Sequence, residues 1–525
     1  MDRRLRAALA LALACVSGCG GESGKTPAPD APVTPTPDAP VVLPDAPMAV
    51  VPRAEPTACR FEMPPSLALT EGTDYACGDL YVEENRATHA GVIRVHYIRV
   101  KSAAASPNAT IYLDGGPGGD GSGILRYAGF LGRPFLDGLL VDGDFLVISQ
   151  RGTRLSVPYL DCETSDCSDF AAVADLPSYN TAYNADDVDD LRRVLGIAKL
   201  NLYGISYGSR LGLEVLRRHG GNVRAAVIEG LVPSSTQWHA EIPASAYSAI
   251  TALNASCAAA GACGTTFGDL VAKFTAGFDA LNAQPVDVEF QGSTIPLDGY
   301  TYAGLLFRVM YSKSSYAYLP LVISDLAARR TDRIQSYLQA WFGAAGGDRG
   351  ISTGLYYGVV CGELFNPPDP NAVATATAGV PPAFITIFGG GHESMEATCS
   401  TYPKGNLQAQ LAQPVSSAVR SLVSSGALDP ITPPAFGEVA AMTLTNREVV
   451  VHANSGHGAT LQSACGTQNL MAFLANPTAT HDHSCAATIP TAYVLPSTFA
   501  SAAPLDAKRL AADLAIAPKL PPRRR

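Results

Sequence analysis

The sequence predicts an α/β architecture: a mostly parallel, doubly wound sheet with a large, mainly helical cap inserted into it. Short apolar runs at 91–100, 109–113, 144–149, 200–203 and 223–229 alternate with helical spacing at 186–195 and 211–218. That is the rhythm of repeated strand–helix–strand units. It stops near residue 234 and returns only at 421–425 and 447–452. A chain of 525 residues is long for one plain domain, and an inserted cap accounts for the break.

The first six residues, Met-Asp-Arg-Arg-Leu-Arg, are basic, and residues 7–14 are alanine and leucine only. An apolar run this short belongs to an export signal, not to a membrane-spanning helix. Val16-Ser17-Gly18-Cys19 then resembles a bacterial lipobox. Residues 1–23 are therefore expected to be a lipoprotein-type signal segment and the start of the mature chain, with Cys19 carrying a lipid anchor. An ordinary secretory signal is the alternative. Residues 24–56 repeat Pro, Ala, Asp and Thr and read as a flexible linker, because they hold too little apolar surface to fold. Either reading places the chain outside the cytoplasm.

The body divides into a first part of the core at 57–234, a cap at 235–400, a second part of the core at 401–490 and a tail at 491–525. Within the first part, Gly91 to Val100 alternates and is rich in Val, Ile and Tyr, the mark of a strand. The apolar run 109–113 ends at Asp114-Gly115-Gly116-Pro117-Gly118-Gly119, and the run 144–149 enters Gln150-Arg151-Gly152-Thr153-Arg154. Helical segments are expected at 302–311 and 320–342 in the cap.

Gly204-Ile205-Ser206-Tyr207-Gly208 follows a strand and precedes a helix. Small residues on both flanks allow the tight turn that lifts a serine hydroxyl above a sheet edge. Asp429 lies just past the strand at 421–425, and His457 sits in a Gly-bounded loop past the strand at 447–452. The order Ser206, Asp429, His457 suits a nucleophile, an orienting acid and a general base. His452 is the rival base, but it still belongs to a strand. Tyr207, Gly115 and Gly116 are the candidate backbone donors to an oxyanion. Arg151 and Arg154 could clamp a ligand, although tying their own turn to nearby acids is the plainer role.

Ten cysteines remain beyond Cys15 and Cys19. In an exported chain an even set reads as disulfides. Neighbours pair as Cys59 with Cys77, Cys162 with Cys167, Cys257 with Cys263, Cys361 with Cys399, and Cys465 with Cys485, though position alone does not fix connectivity. No cofactor is expected: no Lys-Ser or Lys-Thr follows Gly119 to make a P-loop, and Cys-x-x-Cys spacing is absent. His481-Asp482-His483 reads as a polar surface turn, with metal uptake the less favoured alternative. A net charge of −10 argues against a nucleic-acid partner, and Arg523-Arg524-Arg525 is too short to reverse it.

Taken in order, the 113–119, 150–154, 204–208, 426–433 and 456–458 motifs resemble those of the tripeptidyl/prolyl aminopeptidase family of α/β-hydrolases. The resemblance covers about residues 58–490 and includes a TAP-like C-terminal segment around Cys465 and Cys485. It departs at Asp114, where prolyl iminopeptidases usually carry histidine, and at Thr153. It implies an α/β-hydrolase fold and a serine exopeptidase that cuts peptides near a free N-terminus through an acyl-enzyme. Such an enzyme needs a carboxylate for the substrate ammonium, and Glu363 and Glu229 are the candidates. A carboxylesterase for small hydrophobic esters is the alternative, and a non-catalytic binding module is a remote third.

Overall fold

Nine strands share one sheet in the computed structural model, which describes residues 50–499 apart from 164–165, 237, 291–292, 331–332, 335, 338–350, 366–369 and 406. The expected signal segment with Cys19, the linker up to residue 49, the end of the predicted 320–342 helix and residues 500–525 lie outside the described residues. The strands are β1 (Arg53–Thr57), β2 (Tyr75–Asn85), β3 (Ala90–Val100), β4 (Ala109–Leu113), β5 (Asp144–Ile148), β6 (Leu200–Ile205) and β7 (Val223–Glu229). After the cap come β10 (Arg420–Gly426) and β11 (Arg447–His452); β8 (Val286–Phe290) and β9 (Ser293–Leu297) form a separate hairpin within the cap.

The sheet order is β1-β2-β3-β5-β4-β6-β7-β10-β11. The run from β5 to β11 is parallel, and β1, β2 and β3 extend it as antiparallel strands. Every residue of β4 and β6 is buried, as continuous apolar runs in a parallel sheet covered on both faces require. The two core parts close on each other where β10 pairs with β7, Ser424 opposite Glu229.

Two expectations at the ends of the body are corrected. The segment 24–56 is not linker throughout, because Arg53–Thr57 pairs with β2 from Arg53↔Tyr81 to Thr57↔Cys77. The Cys59–Cys77 disulfide pins that register, and the Arg53 guanidinium stacks 4.0 Å from the Tyr81 ring. The segment from 491 is not all tail either. Val494 is buried with its N–H on Ala317 O at 2.8 Å, and the Tyr493 hydroxyl donates to Ser256 Oγ at 2.7 Å. The cap also holds a hairpin alongside its helices, Gly299–Val309 and Leu319–Ala327 among them. All five neighbouring cysteine pairs form disulfides.

Arg151 is fully buried and ties the β2–β3 hairpin to the helix Thr181–Val194. Its guanidinium makes two 2.8 Å bonds to Asp187 and reaches Glu84 O at 2.8 Å and Ser178 O at 3.0 Å. Arg86 pairs with Asp187 as well, at the oxygen that Arg151 Nη2 also binds. Removing one partner of a buried pair leaves an uncompensated charge. Arg151→Ala should therefore destabilise the fold by about 3 kcal/mol in urea unfolding, the low end of the range because Arg86 remains.

Candidate active site

The carboxyl ends of β4, β6, β7, β10 and β11 lie along one edge of the sheet, the usual binding edge of an open α/β sheet. The predicted site residues follow directly from those ends. Asp114 to Gly116 follow β4, Ser206 follows β6, and Glu229 ends β7; Asp429 and His457 lie shortly after β10 and β11.

Ser206 has φ 61° and ψ −128° and immediately precedes the helix Tyr207–His219. The turn is that tight because two backbones meet there. A Cβ on Gly208 would lie 1.9 Å from Leu113 O, and one on Gly204 would lie 2.2 Å from Gly208 O. Ser206 N–H donates to Glu229 O at 2.9 Å, and the Ser209 hydroxyl holds Ser206 O.

Asp429 and His457 are both buried, with 2.8 Å between Asp429 Oδ2 and His457 Nδ1. Asp429 Oδ1 accepts N–H bonds from Ile431 and Thr432 at 3.0 Å each, and Oδ2 accepts the Thr432 hydroxyl at 2.6 Å. An ionised carboxylate can only accept, so Nδ1 carries the imidazole proton and Nε2 is left basic. Among the described residues, His457 Nε2 has no hydrogen-bond partner. The imidazole also packs beside the residue that follows Glu229: a Cβ on Gly230 would stand 3.3 Å from His457 Cε1. Ser206 and His457 are thus both seated against the end of β7.

The His457 loop is held by Gln462. Its Oε1 accepts from Gly456 N at 2.9 Å, and its Nε2 donates to His457 O at 2.6 Å and to Tyr311 O at 2.7 Å. Through that last bond the cap joins the loop, and the Tyr311 ring meets the imidazole edge-on at 5.1 Å. Sequence reasoning missed Gln462, which has no signature until the loops are folded together, and placed Thr432 in the 426–433 motif without a role. His452 is buried in β11, and among the described residues neither ring nitrogen has a partner; burial, then His483 and Lys313, lower its pKa to about 4.

One expected oxyanion donor is corrected. Gly115 N–H is already bonded at 2.8 Å to Asp114 Oδ1, while Asp114 Oδ2 accepts from Gly121 N at 2.9 Å. Asp114 therefore braces the glycine turn, and burial with the nearby Asp120 raises its pKa to about 6. Gly116 N–H has no partner among the described residues, and Tyr207 N–H, at the first position of its helix, has no intrahelical acceptor.

The two expected ammonium receptors are also corrected. Glu363 accepts from Thr181 N at 2.7 Å and Thr181 Oγ1 at 2.6 Å and pairs with Arg210 at 3.3 Å, all buried. It latches the cap to the helix Tyr207–His219. Glu229 accepts from Thr460 N at 2.6 Å and from the Thr460 hydroxyl. Both carboxylates are committed to the protein's own donors, so neither is carried forward as a substrate site. Arg151 and Arg154 likewise pair with Asp187 and Asp120 instead of facing a ligand.

A family model described as "alpha/beta hydrolase fold" matches residues 111–252, and one described as "TAP-like protein" matches residues 386–485. These matches support an α/β-hydrolase fold with a TAP-like segment. The first match contains Ser206, and the TAP-like match contains Asp429 and His457. Proline iminopeptidases of Neisseria gonorrhoeae and Neisseria meningitidis serogroup B are each 29% identical over 157 residues, 29% of this chain. That match spans only 43% of either relative's length. The crystal structure of proline iminopeptidase from Mycobacterium smegmatis is 16% identical, covering 78% of this chain and 99% of that one at a TM-score of 0.38.

Burial raises the Glu229 pKa from its ordinary 4.5 to about 7. A carboxyl whose folded pKa is raised stabilises the fold fully below its unfolded pKa, and that contribution is lost as pH rises through the folded value. Glu229 should cost about 3 kcal/mol of unfolding free energy between pH 4.5 and pH 7.5. Urea titrations across that window should find the fall reduced by this amount in Glu229→Gln.

Proposed function

We propose that the chain is a serine exopeptidase that hydrolyses peptides near a free N-terminus through an acyl-enzyme. The observation that carries this reading is the buried Asp429–His457 pair at 2.8 Å, seated with the Ser206 elbow against the end of β7. In this mechanism Ser206 Oγ attacks the substrate carbonyl while His457 Nε2 takes its proton. His457 then gives that proton to the leaving amine, and Asp429 stabilises the imidazolium between the two steps. Tyr207 N–H and Gly116 N–H receive the charge on the tetrahedral intermediate's oxygen. Water repeats the sequence on the acyl-enzyme and frees the acid.

The peptidase half of the proposal draws support from the similarity of 157 residues to proline iminopeptidases. One observation favours the carboxylesterase as a second reading: Glu363 and Glu229, the expected ammonium receptors, are bound elsewhere. An extracytoplasmic setting, with Cys19 lipidated, belongs to the same proposal. Five disulfides are compatible with it, and no described helix is long and apolar enough to cross a membrane.

Mass spectrometry of products from a free peptide library, beside an N-blocked set and simple acyl esters, tests the proposal. Release of short N-terminal fragments from free peptides only is expected; ester turnover without amide turnover would decide for the esterase. Ser206→Ala and Asp429→Asn should each lower kcat by about 10⁴-fold or more in steady-state assays, with circular dichroism unchanged.

A further inference from the structure

Glu448, on the edge strand β11, comes together with His481 and His483, although it is far from the two histidines in sequence. We propose that they form a transition-metal site of the zinc type that fastens the segment 477–489 to β11. The three ligand atoms lie within 4.8 Å of one another, the one such cluster of His, Cys, Asp or Glu among the described residues. Glu448 Oε2 is 3.1 Å from His481 Nδ1 and 2.7 Å from His483 Nε2. All three side chains are largely shielded, at 9% to 16% exposure.

Two imidazoles and a carboxylate suit Zn²⁺, which leaves a fourth position for water. Zinc–ligand bonds near 2.1 Å in a tetrahedron set ligand atoms about 3.4 Å apart, so His483 has to withdraw by roughly 0.7 Å. The group is preorganised by Arg420 on β10. Its guanidinium binds the other oxygen of Glu448 and also donates to Pro477 O at 2.8 Å and Ala479 O at 3.0 Å. One side chain thus orients the carboxylate and fixes the strand of chain that carries both histidines, the role an outer partner has in a metal site. The ring atoms turned toward Glu448, His481 Nδ1 and His483 Nε2, are the ones placed to hold the ion.

The fastened segment touches the candidate active site from behind. Ala486 O accepts from Ala453 N at 2.9 Å and Ile489 O from Asn454 Nδ2 at 2.8 Å, both in the loop that leads to His457. The Cys465–Cys485 disulfide closes the other end of the same segment. A bound ion would complete a brace on that loop without taking part in the reaction.

Equilibrium dialysis of the purified full chain against Zn²⁺, with metal analysis, should find about one ion per chain and a raised melting temperature. His481→Ala/His483→Ala should lose both effects, and Asp482→Asn should keep them. Absence of zinc retention, or equal retention by the double variant, would overturn the proposal. Co²⁺ added to the unaltered chain provides a readout independent of any variant: visible absorption bands of tetrahedral intensity, displaced by Zn²⁺, are expected, and a spectrum of hydrated Co²⁺ alone refutes the site.

Discussion

The contact between Leu113 O and the backbone of Gly208 is the constraint on which the candidate site depends. It lets the helix Tyr207–His219 start directly against the end of β4, and so bends the chain sharply enough to hold Ser206 at positive φ. A larger residue at position 208 would push the helix off the sheet and lower the serine toward it. Everything else at the edge is placed relative to that junction. The glycine turn after β4 passes over the elbow, and β7 receives the Ser206 N–H. The price of the strained backbone at Ser206 is met by burial on both faces of a parallel sheet.

Around the elbow, buried carboxylates act as fasteners, one within its own turn and two between elements distant in sequence. Asp114 closes the glycine turn on itself, Glu229 holds the start of the helix after the His457 loop through Thr460, and Glu363 joins cap to core. Desolvation pushes all three pKa values upward, yet each has specific donors to satisfy its oxygens. Such groups fix geometry more than they add stability. That explains why acids that look free in the sequence are spoken for in the fold.

The parallel strands were legible in the sequence because a strand buried on both faces is an unbroken apolar run. Ala109–Leu113 and Val223–Glu229 have the limits their composition suggests, while the half-exposed edge strand Arg447–His452 is marked by its three valines instead. β1 was hidden, since Pro52 and Pro56 sit among linker-like residues and an edge strand tolerates proline. β2 mixes Cys77, Gly78, Asp79 and two glutamates with its apolar positions, so no period stands out. At the site, the spacing of Ser206, Asp429 and His457 could be read from turns after strands. The commitments of Gly115, Glu229 and Glu363 could not, because each depends on a partner brought in by tertiary folding.

The pairing of β7 with β10 has a consequence for how the molecule comes into being. The first part of the core is complete through Glu229, but its neighbour in the sheet begins only at Arg420. Until residues 230–419 have been made, β7 presents a row of unpaired amides and carbonyls, the template on which chains aggregate. Ser206 also lacks both Asp429 and His457 through that interval, so hydrolytic chemistry of the proposed kind cannot begin on a half-made chain. Closure of the sheet and assembly of the site are one event, late in the life of the nascent polypeptide.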